Sequence, residues 1–499
     1  MSDDSGRFVG PGWQVGTICL LFVCLTILLL LISPPALLLC AGLAGVGLVY
    51  PPLSQRLTVA GRSLWLPHMV LAVGALTAVG ILGYGVWLVR SGVLSVFGFV
   101  FAPVMALIVY QACLITVLAA SQRHFDPVPA EATEPLPRVS VLIPAYNEAG
   151  YIKQSMAAVL NSGYPEDKLE LIVVNDGSTD GTYEEATAYA DHDSVRVFTK
   201  DNGGKASALN YAMFFATGEF VVPIDADSTI AEGALRMILA PMQANSSVGA
   251  VAGNVKVANR NSLLTSTQRL EYLVGINSYR RMYDTLRAVP VIPGCLGAFR
   301  YDALSEIREY DPDTLTEDYD ATIQLLKRGY EIRASPAATY TEAPATWADL
   351  YRQRLRWYRG NCQTLSKHFN ILTSPEYGYL HSVVFPLHMV SMVTGPLVTI
   401  LVGISIAWGI YAGTLATLAV IATAFIGLGV LVSLLSVQLA GEDLRTAALA
   451  LCLGSVYKLV NDAAKLQALG DVLFRSDIAW TSPRRVRQIQ ASRAGESAD

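Results

Sequence analysis

Six apolar runs on either side of one polar segment restrict the fold of this 499-residue chain more than any other feature. Each is near the length at which a helix crosses about 30 Å of hydrocarbon, although the second is short. They fall at about Trp13 to Ile32, Ala36 to Tyr50, Pro67 to Val89, Val93 to Ala120, Tyr379 to Ile410 and Leu415 to Leu439. Because 52% of the residues are hydrophobic and only 15% are charged, the sequence predicts α-helical transmembrane segments around one globular domain.

A seventh apolar stretch, Thr446 to Phe474, has a less definite pattern. It contains four charged residues that are costly at the centre of a bilayer, namely Lys458, Asp462, Lys465 and Asp471. We expect a re-entrant or interfacial helix here, and a polar helix facing a pore is the alternative.

Arginines between the apolar runs predict the orientation in the membrane. Arg7, Arg56, Arg62 and Arg123 fall where a chain with a cytosolic amino terminus returns to the cytosol, and Arg90 is the one opposing charge. We expect a multi-pass protein of the cell (plasma) membrane with a cytosolic central domain. The predicted parts are an amino-terminal membrane region of about four spans (1–120), a proline-rich linker (121–136), the cytosolic domain (137–345), interfacial helices (346–378), a carboxy-terminal membrane region of two to three segments (379–475) and a polar tail (476–499).

Charge and residue usage argue against several classes of function. A formal net charge of -5 provides no basic field that would hold nucleic acid by its phosphates. The seven cysteines lack the Cys-x-x-Cys spacing of a zinc site, and most lie in apolar runs, so we expect reduced, structural thiols. None of the six histidines stands in a recognisable nucleophile arrangement, so a triad hydrolase is not supported.

Within the polar segment, short β-branched or aromatic runs alternate with helical stretches. Strands are predicted at Val139 to Ile143, Leu169 to Val174, Val195 to Phe198 and Phe220 to Ile224, and helices at Tyr151 to Leu160, Tyr183 to Ala190 and Lys205 to Ala216. This order predicts an α/β domain with a mostly parallel sheet. Such sheets bind ligands at the carboxyl ends of their strands, which is where the polar motifs fall.

Two carboxylates, Asp225 and Asp227, close the fourth strand two positions apart, so both can project to one side. Such a pair can hold one divalent cation, Mg²⁺ or Mn²⁺, against a diphosphate. Lys205 lies upstream as a counter-charge for that diphosphate. An isolated Asp-x-Asp is more often a solvated loop.

Six short motifs occur in fixed order: Pro144-Ala145-Tyr146-Asn147-Glu148, Asn175-Asp176-Gly177-Ser178-Thr179-Asp180, Gly204-Lys205, Asp225-Ala226-Asp227, Thr316-Glu317-Asp318 and Gln353-Arg354-Leu355-Arg356-Trp357. The series resembles the processive family-2 glycosyltransferases, which include hyaluronan, chitin, cellulose and poly-N-acetylglucosamine synthases. The resemblance runs from about Pro137 through the carboxy-terminal apolar segments.

This resemblance implies a GT-A-like nucleotide-sugar domain inserted between transmembrane helices, with a UDP-sugar as donor. Tyr146, Glu148 and Asp176 would contact the uridine, while Lys205 and Asp225 would face the diphosphate and the metal. For Asn175-Asp176-Gly177 alone, a simple turn is the competing interpretation.

The resemblance also assigns Asp318 as the base that deprotonates the acceptor hydroxyl, with Glu317 beside it. No second carboxylate suggests itself as a covalent nucleophile, so we expect single displacement with inversion and a β-linkage from an α-linked donor. Thr314 with Glu317 also fits a capping box ahead of a helix from Tyr319 to Leu326, and the two uses are compatible.

By the same resemblance, Gln353, Arg356 and Trp357 form a lid over the donor, with Arg356 at the diphosphate and Trp357 stacked on the acceptor sugar. Thr346 with Asp349 can cap this helix. A basic interfacial helix seated on anionic lipid is the alternative for its four arginines. Pro293 to Arg300, including Gly294 and Cys295, resembles the loop that lines the acceptor terminus, and a packing role for the Cys295 thiol is favoured over a nucleophilic one.

We therefore expect a membrane-embedded inverting glycosyltransferase that polymerises a UDP-sugar, with UDP-N-acetylglucosamine as the best guess, and translocates the β-linked product. Its expected partners are the donor, the growing glycan acceptor and the lipid bilayer, and the pattern leaves open an accessory subunit or a homo-oligomer. A non-processive transferase that adds one sugar to a lipid is the main alternative. A binding protein on an inactive transferase fold is a second, although Asp225, Asp227 and Asp318 are all present.

Overall fold

The computed structural model describes residues 131–307, 310–413 and 415–474, together with the single positions Arg90, Gln111, Ile115, Leu118, Ala119 and Gln122. Apart from those positions, the four predicted amino-terminal spans lie outside the described residues, as does the predicted polar tail. The chain forms two compact units. One comprises residues 127–272, 286–396 and 455–499 and holds the whole β-sheet, and the other comprises residues 1–126, 273–285 and 397–454.

Four parallel strands form one half of the sheet, and all four match the predicted ranges. They are β1 (Val139–Ala145), β2 (Leu169–Asp176), β3 (Val195–Lys200) and β4 (Phe220–Pro223), in the spatial order β3-β2-β1-β4. Strand β2 is buried along its whole length, as expected for an inner strand of a parallel sheet covered on both faces. The connecting helices are α1 (Ile152–Leu160), α2 (Thr182–Thr187) and α3 (Lys205–Phe215), close to their predicted bounds.

The other half of the sheet is mixed, so the prediction of a mostly parallel sheet is wrong there. It contains β5 (Thr229–Ile230), β6 (Val248–Val257), β7 (Gly297–Arg300) and β8 (Glu331–Thr341), and the full order is β3-β2-β1-β4-β7-β6-β8-β5. Strand β7 is antiparallel to β4 and β6, β8 is parallel to β6, and β5 is antiparallel to β8. Because β5 and β7 have two and four residues, neither shows an alternation long enough to predict from sequence.

Helices cover the sheet and continue beyond it. The next are α4 (Ala234–Ala244), α5 (Leu263–Glu271), α6 (Tyr279–Thr285), α7 (Tyr301–Glu306), α8 (Glu317–Lys327) and α9 (Trp347–Lys367). Shorter turns of 3-10 or π type lie at Glu166–Lys168, Tyr272–Ser278, Phe369–Thr373 and Pro375–Tyr377. The main core packs β1, β2 and β4 against apolar residues of α1 and α4, such as Met156 and Ile238.

The start of α8 corrects one prediction. The N-cap residue is Thr316, whose side chain makes no capping hydrogen bond, so the capping box of Thr314 with Glu317 is wrong. The helix begins at Glu317 itself, and its first turn also carries Asp318 and Asp320. Negative charges at a helix amino terminus interact favourably with the helix dipole. These acidic residues therefore stabilise the start of α8 without the predicted capping hydrogen bonds.

The carboxy-terminal helices agree with the predicted apolar segments. Helix α10 (Phe385–Ala412) follows a π turn at Leu380–Val384, and α11 is Leu415–Ala440. By length and composition, one described helical stretch of 33 residues, Leu380–Ala412, could cross a membrane, with a mean hydropathy of 2.0 over an 18-residue window. Leu444–Leu453 and Val456–Leu473, bent by 56° at their junction, would be a second if together they form one broken span. The charged stretch beyond α11 is broken into a 3-10 turn at Leu444–Leu449, α12 (Ala450–Leu453) and α13 (Val456–Leu473). Its re-entrant or interfacial placement stays a prediction.

Candidate active site

The loops after β1 and β2 are hydrogen-bonded to each other. Asn147, at a left-handed φ of 56°, accepts at Oδ1 from the Thr179 backbone N–H at 2.8 Å. The Glu148 N–H donates to Thr182 Oγ1 at 2.7 Å. These bonds fix the backbone that carries Tyr146, whose side chain is 40% exposed, so a ring face is available for stacking.

Asp176, the last residue of β2, organises the next loop. Its Oδ1 accepts from Lys200 Nζ at 2.8 Å and from the Gly203 N–H at 3.0 Å, and its Oδ2 accepts from the Gly204 N–H at 2.8 Å. Gly177 must be a glycine, because its φ is +70° and an added Cβ would lie 2.8 Å from a backbone nitrogen. The carboxylate predicted to contact uridine therefore also sets the approach to α3, which starts at Lys205.

Lys205 joins two carboxylates from segments far apart in the chain. Its Nζ lies 2.7 Å from Asp225 Oδ1, after β4, and 3.0 Å from Glu317 Oε1, at the start of α8. Burial lowers the pKa of Lys205, but Asp225, Glu317 and Asp318 raise it, and the net result is well above the usual value. The lysine is therefore always charged, and it supplies the positive charge of a largely acidic cluster.

Asp318 completes this charged cluster. Its Oδ2 accepts from the Gly294 N–H at 3.2 Å and its Oδ1 from the Tyr319 N–H at 2.8 Å. Burial, and next the neighbouring Glu317 charge, raise the pKa of Asp318 to about 6, while Lys205 lowers it. A carboxyl group with such a pKa is suited to accept a proton near neutral pH.

Gly294 lies against the same groups, and its role in an acceptor loop stays a prediction. A Cβ on Gly294 would stand 2.3 Å from Lys205 Nζ and 3.4 Å from Asp225 Oδ1. Its neighbour Cys295 is buried, and its carbonyl oxygen accepts from Thr339 Oγ1 at 3.2 Å. The packing of Cys295 agrees with the structural role expected for its thiol.

Asp227, the second predicted metal ligand, is half-buried and accepts from Ser228 Oγ at 3.2 Å. Within the described part of the chain, no three His, Cys, Asp or Glu side chains form a group that could hold a metal ion by themselves. Two hard carboxylates still fit Mg²⁺ or Mn²⁺, because Mg²⁺ is commonly held by one or two carboxylates together with substrate phosphates. The donor set at Asp225 and Asp227 is of this kind.

Helix α9 carries the predicted lid residues. Thr346 accepts at its side chain from the Asp349 N–H at 3.2 Å, so the predicted cap is confirmed, and the helix extends to Lys367. Gln353 is buried, whereas Arg356 and Trp357 are partly exposed. The three residues therefore lie on one helix of the sheet-containing unit, and the two partly exposed ones can reach a ligand.

The arginines of α9 are mostly paired within the fold. Arg352 pairs with Asp349, Arg354 with Glu271 and Arg359 with Asp471. The Arg354 side chain is 1% exposed. Arg354 and Arg359 are therefore unavailable to anionic lipid, whereas Arg352 and Arg356 are partly exposed, so the interfacial-helix alternative stays open.

Two networks of ion pairs and hydrogen bonds near the site were not predicted from the sequence. One joins Arg354 to Glu271 and Tyr457. The other joins α8 to the end of α9: Asp320, with a fully buried side chain, accepts from His368 Nε2 at 2.8 Å and from Lys367 Nζ at 2.9 Å. Helical spacing could have indicated that Arg354 is buried, because Arg354 follows the buried Leu350 by four residues and lies on the same face of α9.

Comparison with known proteins agrees with this geometry. Residues 140–308 match the family described as Glycosyl transferase family 2. Over 233 residues the chain is 34% identical to the poly-beta-1,6-N-acetyl-D-glucosamine synthase of Staphylococcus epidermidis, covering 46% of this chain and 56% of that protein. Over 242 residues it is 36% identical to a probable glycosyltransferase of Bacillus subtilis, covering 46% of this chain and 57% of that protein. The chain thus spans just over half the length of these relatives.

A solved structure shares the fold. The mannosyltransferase of Pyrobaculum calidifontis, in complex with GDP-Man and Mn²⁺, superposes with a TM-score of 0.54 at 22% identity, over 75% of this chain and 99% of that one. The mixed sheet therefore has a GT-A-like fold. More narrowly, the chain carries a family 2 glycosyltransferase domain, which confirms the family indicated by the motif series.

Proposed function

We propose that the chain is a membrane-embedded, inverting glycosyltransferase that polymerises a UDP-sugar, most simply UDP-N-acetylglucosamine, into a β-linked polysaccharide and moves the product across the membrane. The observation that carries this proposal is the environment of the Asp318 carboxyl group. Its carboxyl group has a pKa of about 6 and sits in one cluster with Lys205, Glu317 and Gly294.

The donor would bind along the carboxyl edge of the parallel strands. Tyr146 and Glu148 stand on the loop after β1, and Asp176 ends β2, so a uridine placed there meets an exposed ring and carboxylates. The diphosphate would then extend toward Lys205. This lysine contacts Asp225 and Glu317, and a diphosphate would compete with those carboxylates for it.

Asp225 and Asp227 would hold the divalent cation. When bound, the cation neutralises the charge that develops on the leaving UDP. The Mn²⁺ in the mannosyltransferase structure is a finding about that protein, and it supports a divalent ion here.

Asp318 would remove the proton of the attacking acceptor hydroxyl. Its hydrogen bonds from the Gly294 and Tyr319 N–H groups fix the direction of the carboxylate. Glu317, which raises the pKa of Asp318, keeps the base strong enough for this step. With Asp318 as the base and no covalent nucleophile assigned, the transfer would be a single displacement that inverts the anomeric carbon.

The acceptor would lie between the Gly294-Cys295 loop and the lid helix α9. Trp357 would stack on the terminal sugar, Gln353 would support the lid, and Arg356 would meet the diphosphate. Retention of the product by such a lid favours polymerisation, and the apolar Leu380–Ala412 stretch follows the lid closely in the chain. The relatives from Staphylococcus epidermidis support N-acetylglucosamine as the sugar.

Product size tests the proposal directly. The purified full chain in detergent is given excess UDP-N-acetylglucosamine, and products are sized while most of the donor remains. We expect high-mass, β-linked polymer at early times. One sugar per lipid acceptor would support the single-transfer alternative, and a ladder that lengthens uniformly would exclude processive synthesis.

A second measurement tests the base. Asp318→Asn should abolish transfer and leave UDP binding largely intact, because this residue is proposed to accept a proton and not to hold the donor. Asp313→Asn, at an exposed position five residues earlier, is the matched control and should be fully active. Near-normal turnover of Asp318→Asn would refute the assignment.

A further inference from the structure

Arg354 is the most buried charged side chain of helix α9, and the proposed reaction gives it no role. It lies between Gln353 and the other lid residues in the sequence, yet its side chain is 1% exposed. Its Nη1 donates to Gln353 Oε1 at 2.5 Å. A buried arginine is always charged and requires specific partners.

Those partners come from two other helical segments. Arg354 pairs with Glu271, the last residue of α5, and its Nη2 lies 3.1 Å from the Tyr457 hydroxyl on α13. The Tyr457 hydroxyl also donates to Glu271. The guanidinium group is therefore fixed from both sides by a closed network of three side chains.

The same guanidinium group lies over Trp357. Its central carbon is 4.3 Å from the centroid of the Trp357 ring and 6.0 Å from that of Tyr272. A cation over an aromatic face within about 6 Å is attracted by the ring quadrupole, and the attraction is strongest where water is excluded. The ring of Trp357 thus has one face held by a buried cation.

We infer that Arg354 is a positioning residue for the acceptor sugar: anchored by Glu271 and Tyr457, it fixes the plane of Trp357 so that the opposite ring face can receive the terminal sugar. This inference rests on the acceptor role proposed above for Trp357. It makes α13, which follows the apolar helices in the chain, a structural part of the acceptor site.

Steady-state kinetics of the full chain test it, with short oligosaccharides from partial acid hydrolysis of the enzyme's own polymer as acceptor. Since Arg354→Met alone would leave Glu271 without its partner, the test variant is Arg354→Met with Glu271→Gln, which removes both charges. We expect the acceptor KM to rise about tenfold or more and the product chains to shorten, while the donor KM stays unchanged. Arg352→Met, on the same helix but at an exposed pair, is the control and should behave as wild type.

A double-mutant cycle with Trp357→Ala separates positioning from folding. If Arg354 acts through Trp357, adding Arg354→Met and Glu271→Gln to Trp357→Ala should raise the acceptor KM little further. A folded variant whose acceptor KM stays near wild type, or an equal loss in the Trp357→Ala background, would overturn the inference. If Trp357→Ala itself leaves acceptor use unchanged, the proposed acceptor role fails first and this inference fails with it.

Discussion

Replacing Gly294 with alanine should separate the arrangement of the charged cluster from the stability of the fold. The new Cβ would lie 2.3 Å from Lys205 Nζ, where ordinary contact begins at 3.4 Å. The ammonium group must therefore withdraw by about 1 Å, which disturbs its 2.7 Å contact with Asp225. Because a misplacement of about 1 Å can cost about 100-fold in rate, we expect kcat/KM to fall by about that factor.

The stability of this variant should hardly change. The atom that must move is the end of a flexible lysine side chain, and Gly294 does not have a left-handed φ. Where the backbone tolerates alanine, Gly→Ala stabilises a protein by about 0.4–1 kcal/mol, because it restricts the unfolded chain. We expect the free energy of unfolding to stay level or to rise slightly.

UDP release and thermal unfolding in detergent measure the two quantities. Gly470→Ala is the control, because Gly470 lies in α13 and a Cβ added there would meet no atom within 4 Å. Its activity should remain at the wild-type value, and its melting temperature should stay level or rise slightly. Activity of Gly294→Ala within about threefold of wild type would refute the reasoning. A clear fall in melting temperature would show instead that the activity is lost through misfolding.

Three further results are expected. The kcat/KM of the wild type should rise with pH around a pKa near 6, because Asp318 must be ionised to act as the base. Lys205→Gln should move this rise to higher pH, because the Lys205 charge lowers the pKa of Asp318. An unshifted profile would contradict this effect of Lys205 on Asp318. Excess EDTA should stop UDP release and Mg²⁺ or Mn²⁺ should restore it, while Asp227→Ala should bind UDP poorly even with metal; full activity in EDTA would disprove metal dependence. Asp320→Ala should lower the free energy of unfolding by about 3 kcal/mol in denaturant titrations, since it leaves the buried His368 without its carboxylate partner, and a loss below about 1 kcal/mol would contradict this.

The parallel half of the fold could be predicted because its signals are local. Strands β1 to β4 are apolar runs bounded by turn residues, and their helices have the lengths that crossovers require. The mixed half depends on pairing between segments far apart in the chain, such as Ala250 with Phe299, which no local pattern encodes.

The site divides in the same way. The sequence motifs identified Lys205, Asp225 and Asp318, and the structure brings these three into one cluster with Glu317 and Gly294. What the sequence could not reveal is that Lys205 bridges two carboxylates, since that depends on where α8 begins relative to β4. The roles of these residues stay predictions.

The network of Arg354 and the pairing of Arg359 with Asp471 have a consequence for how this enzyme can be divided. The unit that holds the β-sheet is discontinuous: its helix α9 contacts Tyr457 and Asp471, which follow the apolar helices α10 and α11 in the chain. An excised fragment that ended at Lys367 would retain every motif residue. It would nevertheless leave Arg359 without Asp471 and Arg354 without the Tyr457 hydroxyl. The final packing of α9 therefore depends on a segment that is synthesised after α10 and α11, because its arginines can meet Tyr457 and Asp471 only once α13 has been made.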